Sequence, residues 1–202
     1  MKRIAVLASG RGSNFQALID RIADGYIPAE CVRLITDNPE AYAVERARAA
    51  GILVTVVAYP AYPDKQSYEA ALLSAMEGCN ADLFVLAGYM RILGETIVRR
   101  FSGRMINIHP ALLPSFSGLH AQRQAIAYGA KVSGCTVHFV DEGMDTGPII
   151  IQRCVPVFER DDEEMLAGRI LVEEHAALPE AVRLFCEDRL MIKGRVVCIL
   201  PP

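Results

Sequence analysis

An amide and an imidazole side chain stand two residues apart near the end of a short apolar segment. Met105–Ile108 predicts a strand that is closed by Pro110, so Asn107 and His109 point to the same face. An Asn amide can donate a hydrogen bond to an oxyanion, and a His ring can donate or carry a proton near neutral pH. The pair therefore suits acyl chemistry, and a carboxylate from the acidic segment 141–148 would favour the imidazolium.

The pair by itself is weak evidence, because a buried structural His is the commoner explanation. The longer string Asn-Ile-His-Pro-Ala-Leu-Leu-Pro-Ser-Phe, residues 107–116, is far more specific. It resembles the signature of the formyltransferases that use 10-formyltetrahydrofolate. The resemblance implies a catalytic trio of Asn, His and Asp, which matches Asn107, His109 and Asp145 here.

Length and composition favour one compact enzyme domain spanning residues 1–202. The 202 residues carry a net charge of −3 and 52% hydrophobic residues, with no basic block that would bind nucleic acid. The apolar run at the N-terminus is too short for a signal peptide, and no run could span a membrane. Six cysteines without a Cys-x-x-Cys pair predict free thiols. We expect a soluble, cytoplasmic protein with no membrane partner.

Alternating elements in the first half must position these residues. Short, nearly continuous apolar strands separated by helices predict a parallel sheet that is covered on both faces. The fold class is therefore α/β, with a doubly wound, mostly parallel Rossmann-like sheet of the kind the formyltransferases have. The predicted strands are Arg3–Ala8, Val32–Thr36, Leu53–Val57, Leu83–Ala87 and Met105–Ile108, and the predicted helices are Asn14–Ala23, Tyr42–Ala50, Gln66–Met76 and Glu95–Phe101.

The pattern changes after a predicted helix at His120–Tyr128. Two longer strands joined by the acidic segment, Ser133–Val140 and Pro148–Val157, predict antiparallel pairing added to the parallel sheet. A long charged helix follows over Asp161–Cys186. The last strands, Leu190–Ile192 and Arg195–Leu200, predict a terminal hairpin.

The loops that follow the parallel strands are where an open α/β sheet binds its ligands. We expect Ser9–Asn14, Gly88–Leu93 and His109–Leu119 to gather along one edge, with Asp141–Gly147 closing over them. The Gly-rich loop at residues 9–14 leads into a helix, which suits either a phosphate cradle or a plain capping turn. A dinucleotide fingerprint fits less well, because Phe15 takes the place of its third Gly.

The resemblance covers nearly the whole chain and is strongest to the branch of the family whose acceptor is 5-phosphoribosylglycinamide. It implies that the loop binds the acceptor's phosphate through Gly12, Ser13 and Asn14, and that Glu174 contacts its ribose. It implies that formyl folate is bound by Lys65, Met90, Arg91, Ile92, Leu93 and Asn107. Lys65 matches a family position that is often Arg. One position departs from the family pattern: Ser117 replaces the usual Pro of a Pro-Gly-Leu-His motif, which puts the stiffness of that loop in doubt.

The resemblance implies direct attack of the acceptor amine on the formyl carbon, within de novo purine biosynthesis. Asn107 and protonated His109 would stabilise the oxyanion, and Asp145 would support the imidazolium. The substrates are small molecules, no metal is needed, and the chain is a monomer or a homodimer. The rivals are a formyl folate hydrolase, a formyltransferase for another amine, and a non-catalytic nucleotide-binding Rossmann module. The formyl folate hydrolases carry an extra N-terminal domain. The methionyl-tRNA formyltransferases, which act on another amine, carry an extra C-terminal domain. Neither extra domain is expected here.

Three further residue groups are open to other interpretations. His138, Asp141, Glu142 and Asp145 lie close enough in sequence to supply metal ligands, although acidic turns usually face water. His138 alternates with apolar residues, which favours a structural role. His175 is expected at the end of a helix.

Overall fold

The computed structural model describes residues 1–202, and its contacts divide the chain into two compact units. The N-terminal unit comprises residues 1–106 and the C-terminal unit residues 107–202. The single domain expected from the sequence stays a prediction. No helix in the chain is long and apolar enough to cross a membrane.

The N-terminal unit alternates strands and helices as predicted. Its strands lie in the order β3-β2-β1-β4 with every pair parallel. All four residues of β4, and the last four of β1, are buried, which explains why these strands are almost wholly apolar. The elements are β1 (Lys2–Leu7), α1 (Ser13–Ala23), β2 (Ala29–Thr36), α2 (Tyr42–Ala49), β3 (Val54–Val56), α3 (Lys65–Glu77), β4 (Leu83–Leu86) and α4 (Glu95–Arg100), with a short 3-10 turn at Tyr59–Ala61.

The C-terminal unit contains the predicted antiparallel additions. Strands β6 and β7 are antiparallel, and β8 and β9 form the terminal hairpin. Strand β9 also pairs in parallel with β7, which the sequence pattern did not indicate. The elements are β5 (Met105–His109, which begins at the end of the first unit), α5 (Ala121–Tyr128), β6 (Val132–Phe139), β7 (Ile149–Pro156), α6 (Glu163–Cys186), β8 (Leu190–Lys193) and β9 (Val196–Ile199). The predicted fold class is confirmed.

The long helix differs from its prediction at two points. Helix α6 begins at Glu163 because the Asp162 side chain accepts a hydrogen bond from Met165 N at 2.7 Å, which caps the first turn. Asp161 lies outside the helix and pairs with Arg169 at 2.8 Å. His175 lies in the middle of α6, so the expectation that it ends a helix was wrong.

Candidate active site

Two acceptors flank the ring of His109 at the end of β5. Its Nδ1 lies 3.3 Å from Asp145 Oδ2, and its Nε2 lies 2.8 Å from the carbonyl oxygen of Phe116. His109 is only 4% exposed, so water does not compete for these contacts. A neutral ring carries one N–H and can donate to one acceptor, whereas an imidazolium donates to both. The arrangement therefore suits a protonated ring.

A second buried histidine fixes the amide of Asn107. His138 Nδ1 donates to the Phe139 carbonyl at 2.8 Å, which leaves Nε2 as an acceptor for Asn107 Nδ2 at 3.2 Å. Burial lowers the pKa of His138 below its ordinary 6.5, which favours the neutral ring that this bond requires. Since the Asn107 amide nitrogen carries two hydrogens, one remains for a ligand.

Asp145 is held at the tip of the loop between β6 and β7. Its backbone is left-handed, with φ of 55°, and its Oδ2 accepts from Gly118 N at 2.8 Å. The loop is closed from within by Thr146 Oγ1, which donates to Asp141 Oδ1 at 2.6 Å. Gly147 packs so tightly that a Cβ there would lie 1.7 Å from the Phe139 carbonyl. The carboxylate thus reaches His109 from a tightly folded turn.

The segment after β5 is anchored by the buried hydroxyl of Thr136. This hydroxyl donates to Ala111 O at 2.7 Å and accepts from Leu113 N at 3.0 Å. Gln152 from β7 donates to Leu113 O at 2.8 Å. Neighbouring strands thereby fix the path of the chain between His109 and Phe116.

In the N-terminal unit, the loop after β1 leads directly into the N-terminus of helix α1. Gly12 is left-handed, with φ of 66°, and no side chain caps the first turn. A Cβ at Gly12 would lie 2.7 Å from Ala43 Cβ, so only Gly fits against α2. Arg46 braces the loop by donating to Arg11 O at 2.9 Å. A helix N-terminus without a side-chain cap, together with the nearby Arg46 cation, suits an anion.

The loop after β4 lies against the loop after β1, as predicted. Ser9 N donates to Gly88 O at 3.1 Å, and Met90 N donates to Ser9 Oγ at 3.0 Å. The side chains of Met90 and Ile92 are 65% and 68% exposed, while Leu93 is buried. Exposed apolar side chains in a loop suit an apolar ligand.

Arg91 in the same loop is held on two sides. Its Nε donates to Asp37 Oδ2 at 2.6 Å, and its guanidinium lies 4.2 Å from the centre of the Tyr59 ring. Asp37 is therefore paired with Arg91, in the turn after β2.

Comparison with known proteins identifies the family of this chain. A sequence profile described as formyl transferase matches residues 2–182. The chain belongs to the formyl transferase family. Phosphoribosylglycinamide formyltransferase of Bacillus subtilis is 42% identical over 183 residues, which are 91% of this chain and 94% of that protein. The crystal structure of glycinamide ribonucleotide transformylase 1 from Symbiobacterium toebii is 50% identical, covers 100% of this chain and 95% of its own, and has a TM-score of 0.97.

Some relatives in the family are much longer than this chain. The trifunctional purine biosynthetic protein adenosine-3 of Drosophila melanogaster is 45% identical over 197 residues. This match covers 96% of the chain and 15% of the Drosophila protein.

The remaining residues that the family resemblance singled out lie in different settings. Glu174 is buried in α6, 8% exposed, whereas its neighbour Glu173 pairs with Arg153 at 3.7 Å. This separates two glutamates that sequence alone could confuse. Lys65 is the first residue of α3, and its exposed Nζ lies 3.4 Å from Glu69 Oε1.

The loop in which Ser117 replaces the family's Pro is held by hydrogen bonds. Gln124 Nε2 donates to Ser117 O at 3.1 Å and to Leu119 O at 2.9 Å. Gly118 N donates to Asp145 Oδ2. These contacts give the loop a source of rigidity that does not depend on a Pro ring.

Two residues at the site have contacts that the sequence pattern did not indicate. His138 was expected to be structural, yet it contacts Asn107 and lies 3.8 Å from Asp145 Oδ1. The sequence pattern around His138 is that of an ordinary buried strand residue, so it did not indicate the contact with Asn107. Arg46 carries no sequence signal of its own, because its approach to the Gly-rich loop depends on how α2 packs. No group of three or more His, Cys, Asp or Glu side chains is arranged to hold a metal ion.

Proposed function

We propose that this chain transfers the formyl group of 10-formyltetrahydrofolate to the amine of 5-phosphoribosylglycinamide, in de novo purine biosynthesis. The observation that carries the proposal is the cluster of Asn107, His109 and Asp145, in which a buried imidazole faces a carboxylate beside an oriented amide. The near full-length similarity to phosphoribosylglycinamide formyltransferase of Bacillus subtilis supports the same acceptor.

The amide and the imidazolium would stabilise the charge that develops during transfer. The acceptor amine attacks the formyl carbon, and the carbonyl oxygen becomes an oxyanion. Asn107 donates to this oxygen with the amide hydrogen that His138 does not use. Such preorganised donors stabilise a transition state more than water does, because they need no reorganisation. No covalent enzyme intermediate is required.

His109 would supply the proton that the departing folate nitrogen takes. Its Nε2–H donates to the Phe116 carbonyl, so this hydrogen bond must break before the proton can pass to the oxyanion or to the leaving nitrogen. Asp145 keeps its contact with Nδ1 and stabilises the positive ring meanwhile. Asp145 also orients a water that takes the proton lost by the amine. Alignment of two bound substrates supplies further acceleration.

The substrate contacts are assigned from the family resemblance and from local chemistry. The phosphate of the acceptor binds Gly12, Ser13 and Asn14, where the N-terminus of α1 and the Arg46 cation favour a dianion. Glu174 binds the ribose hydroxyls.

Formyl folate binds the loop after β4, through Met90, Arg91, Ile92 and Leu93, together with Lys65 and Asn107. The exposed apolar side chains of Met90 and Ile92 suit the pterin ring. We further propose a cytoplasmic monomer or homodimer, built as one domain and independent of metals.

An assay of acceptor dependence tests the proposal. Purified protein is mixed with 10-formyltetrahydrofolate, and loss of the formylated cofactor is followed with and without 5-phosphoribosylglycinamide. We expect turnover only when the acceptor is present, and no binding of NAD by calorimetry. Turnover without the acceptor would instead indicate a hydrolase. Turnover with a different amine alone would indicate a different formyltransferase, and binding of NAD without turnover a dinucleotide-binding module.

A further inference from the structure

The terminal hairpin reaches the loop that carries Asp145. Arg195, in the turn between β8 and β9, donates from Nη2 to the carbonyl oxygen of Thr146 at 2.8 Å. Thr146 directly follows Asp145 in the chain. The family profile ends its match at residue 182, so this contact comes from a part of the chain that the profile does not describe.

Asp145 needs such support because its backbone conformation is unfavourable. A non-glycine residue with φ of 55° is strained, and this conformation persists only where surrounding contacts determine it. The side chain of Asp145 is bound by Gly118 N, and the side chain of Thr146 by Asp141. The Thr146 carbonyl is bound by Arg195, which fixes the peptide between Thr146 and Gly147, one residue beyond the strained Asp145.

The hairpin that presents Arg195 is itself held firmly. Strand β9 pairs with β7 at Ile149, three residues after Thr146, so both ends of the contact rest on the same strand pair. Arg189 closes the base of the hairpin by donating to Leu200 O at 2.8 Å, and Leu200 N donates back to Arg189 O at 2.8 Å. The backbone that carries the Arg195 guanidinium is therefore held in place by these hydrogen bonds.

We infer that Arg195 is a positioning residue for formyl transfer: through the Thr146 carbonyl it holds Asp145 in the conformation that contacts His109. The expected effect on kcat rests on the proposed function. The expected effect on the contact between Asp145 and His109 does not. The charged donor strengthens the bond to the carbonyl, although the exposure of Arg195 weakens it. Loss of one such bond corresponds to about a three- to tenfold fall in kcat.

The kinetic test compares Arg195→Ala with a matched control, Lys193→Ala, which removes an exposed cation from the same hairpin. We expect Arg195→Ala to lower kcat by about three- to tenfold, with both KM values changed less than twofold. Arg195→Lys should recover part of the loss, and Lys193→Ala should match the wild type. In an Asp145→Asn background, Arg195→Ala should have little further effect, because the carboxylate through which it acts is gone.

A second measurement separates this inference from the proposed function. The ring ¹H and ¹⁵N resonances of His109 report its contact with Asp145 whether or not the chain is active. We expect them to move in Arg195→Ala and to stay in Lys193→Ala, with thermal midpoints within about 2 °C of the wild type. Absence of turnover by the wild type would overturn the proposed function alone. Unmoved His109 resonances, or an equal kcat loss in wild-type and Asp145→Asn backgrounds, would overturn the role of Arg195.

Discussion

Replacement of Gly12 by Ala should damage stability and acceptor binding by separable amounts. The left-handed backbone at φ of 66° costs an Ala roughly 1–2 kcal/mol. The new Cβ would lie 2.7 Å from Ala43 Cβ, and overpacking of this kind costs about 1–3 kcal/mol. The sum is roughly 2–5 kcal/mol, which lowers the thermal midpoint of a chain this long by roughly 5–20 °C.

The matched control is Gly51→Ala, because Gly51 has a nearly equal φ of 69° and open space where the Cβ would stand. It should lose only the backbone part, about 1–2 kcal/mol. Calorimetry of each ligand then separates binding from stability. For Gly12→Ala we expect the Kd of the ribonucleotide to rise about tenfold or more, as a charge-assisted backbone contact to phosphate is lost. The Kd of formyl folate should change less than twofold.

Two results would refute this reasoning. If Gly51→Ala destabilises the chain as much as Gly12→Ala, the contact with Ala43 carries no cost. If Gly12→Ala weakens both ligands equally, the loop supports the fold as a whole and is not the phosphate site.

Three other perturbations test the catalytic cluster. His109→Ala should lower kcat by about 10²–10⁴-fold with little loss of substrate binding, and Asp145→Asn should lower kcat and change the pH–rate profile; wild-type rates in either variant would remove these residues from the mechanism. Because burial places the pKa of folded His138 below its unfolded value near 6.5, its contribution to stability is complete above pH 6.5 and is lost as the pH falls toward the lower folded value. The stability advantage of wild type over His138→Asn, measured by urea unfolding, should therefore shrink between pH 7.5 and pH 5, and an advantage that grows would contradict the neutral ring. Dialysis against a strong chelator should leave formyl transfer intact, and activity that returns only with a divalent ion would point to a metal site at His138 and the loop of Asp145.

The parallel strands were predictable because their apolar runs are short and bounded. Strand β4 differs from its predicted bounds by one residue, and helix α4 begins where predicted. The pairing of β9 with β7 was not predictable, since it joins residues distant in sequence through a single register position. The start of α6 depends on which of two consecutive Asp residues caps it, and both types are equally suited.

The candidate site likewise contains residues that the sequence indicated and contacts that it did not. The types and spacing of Asn107 and His109 indicated acyl chemistry, and the family resemblance added Asp145. Neither could reveal that His138 binds the Asn107 amide, because this depends on how β5 and β6 are brought together. The contact of Arg195 with the Asp145 loop depends likewise on the unexpected strand pair.

The most direct test of the central claim is the fate of the formyl carbon itself. 10-Formyltetrahydrofolate labelled with ¹³C in the formyl group is incubated with the protein and 5-phosphoribosylglycinamide, and the label is followed by NMR. We predict that it moves to the amide of the formylated ribonucleotide, at a rate that His109→Ala lowers by about 10²–10⁴-fold. Label that appears as formate, or that stays on the folate while the acceptor is present, would contradict formyl transfer to this acceptor.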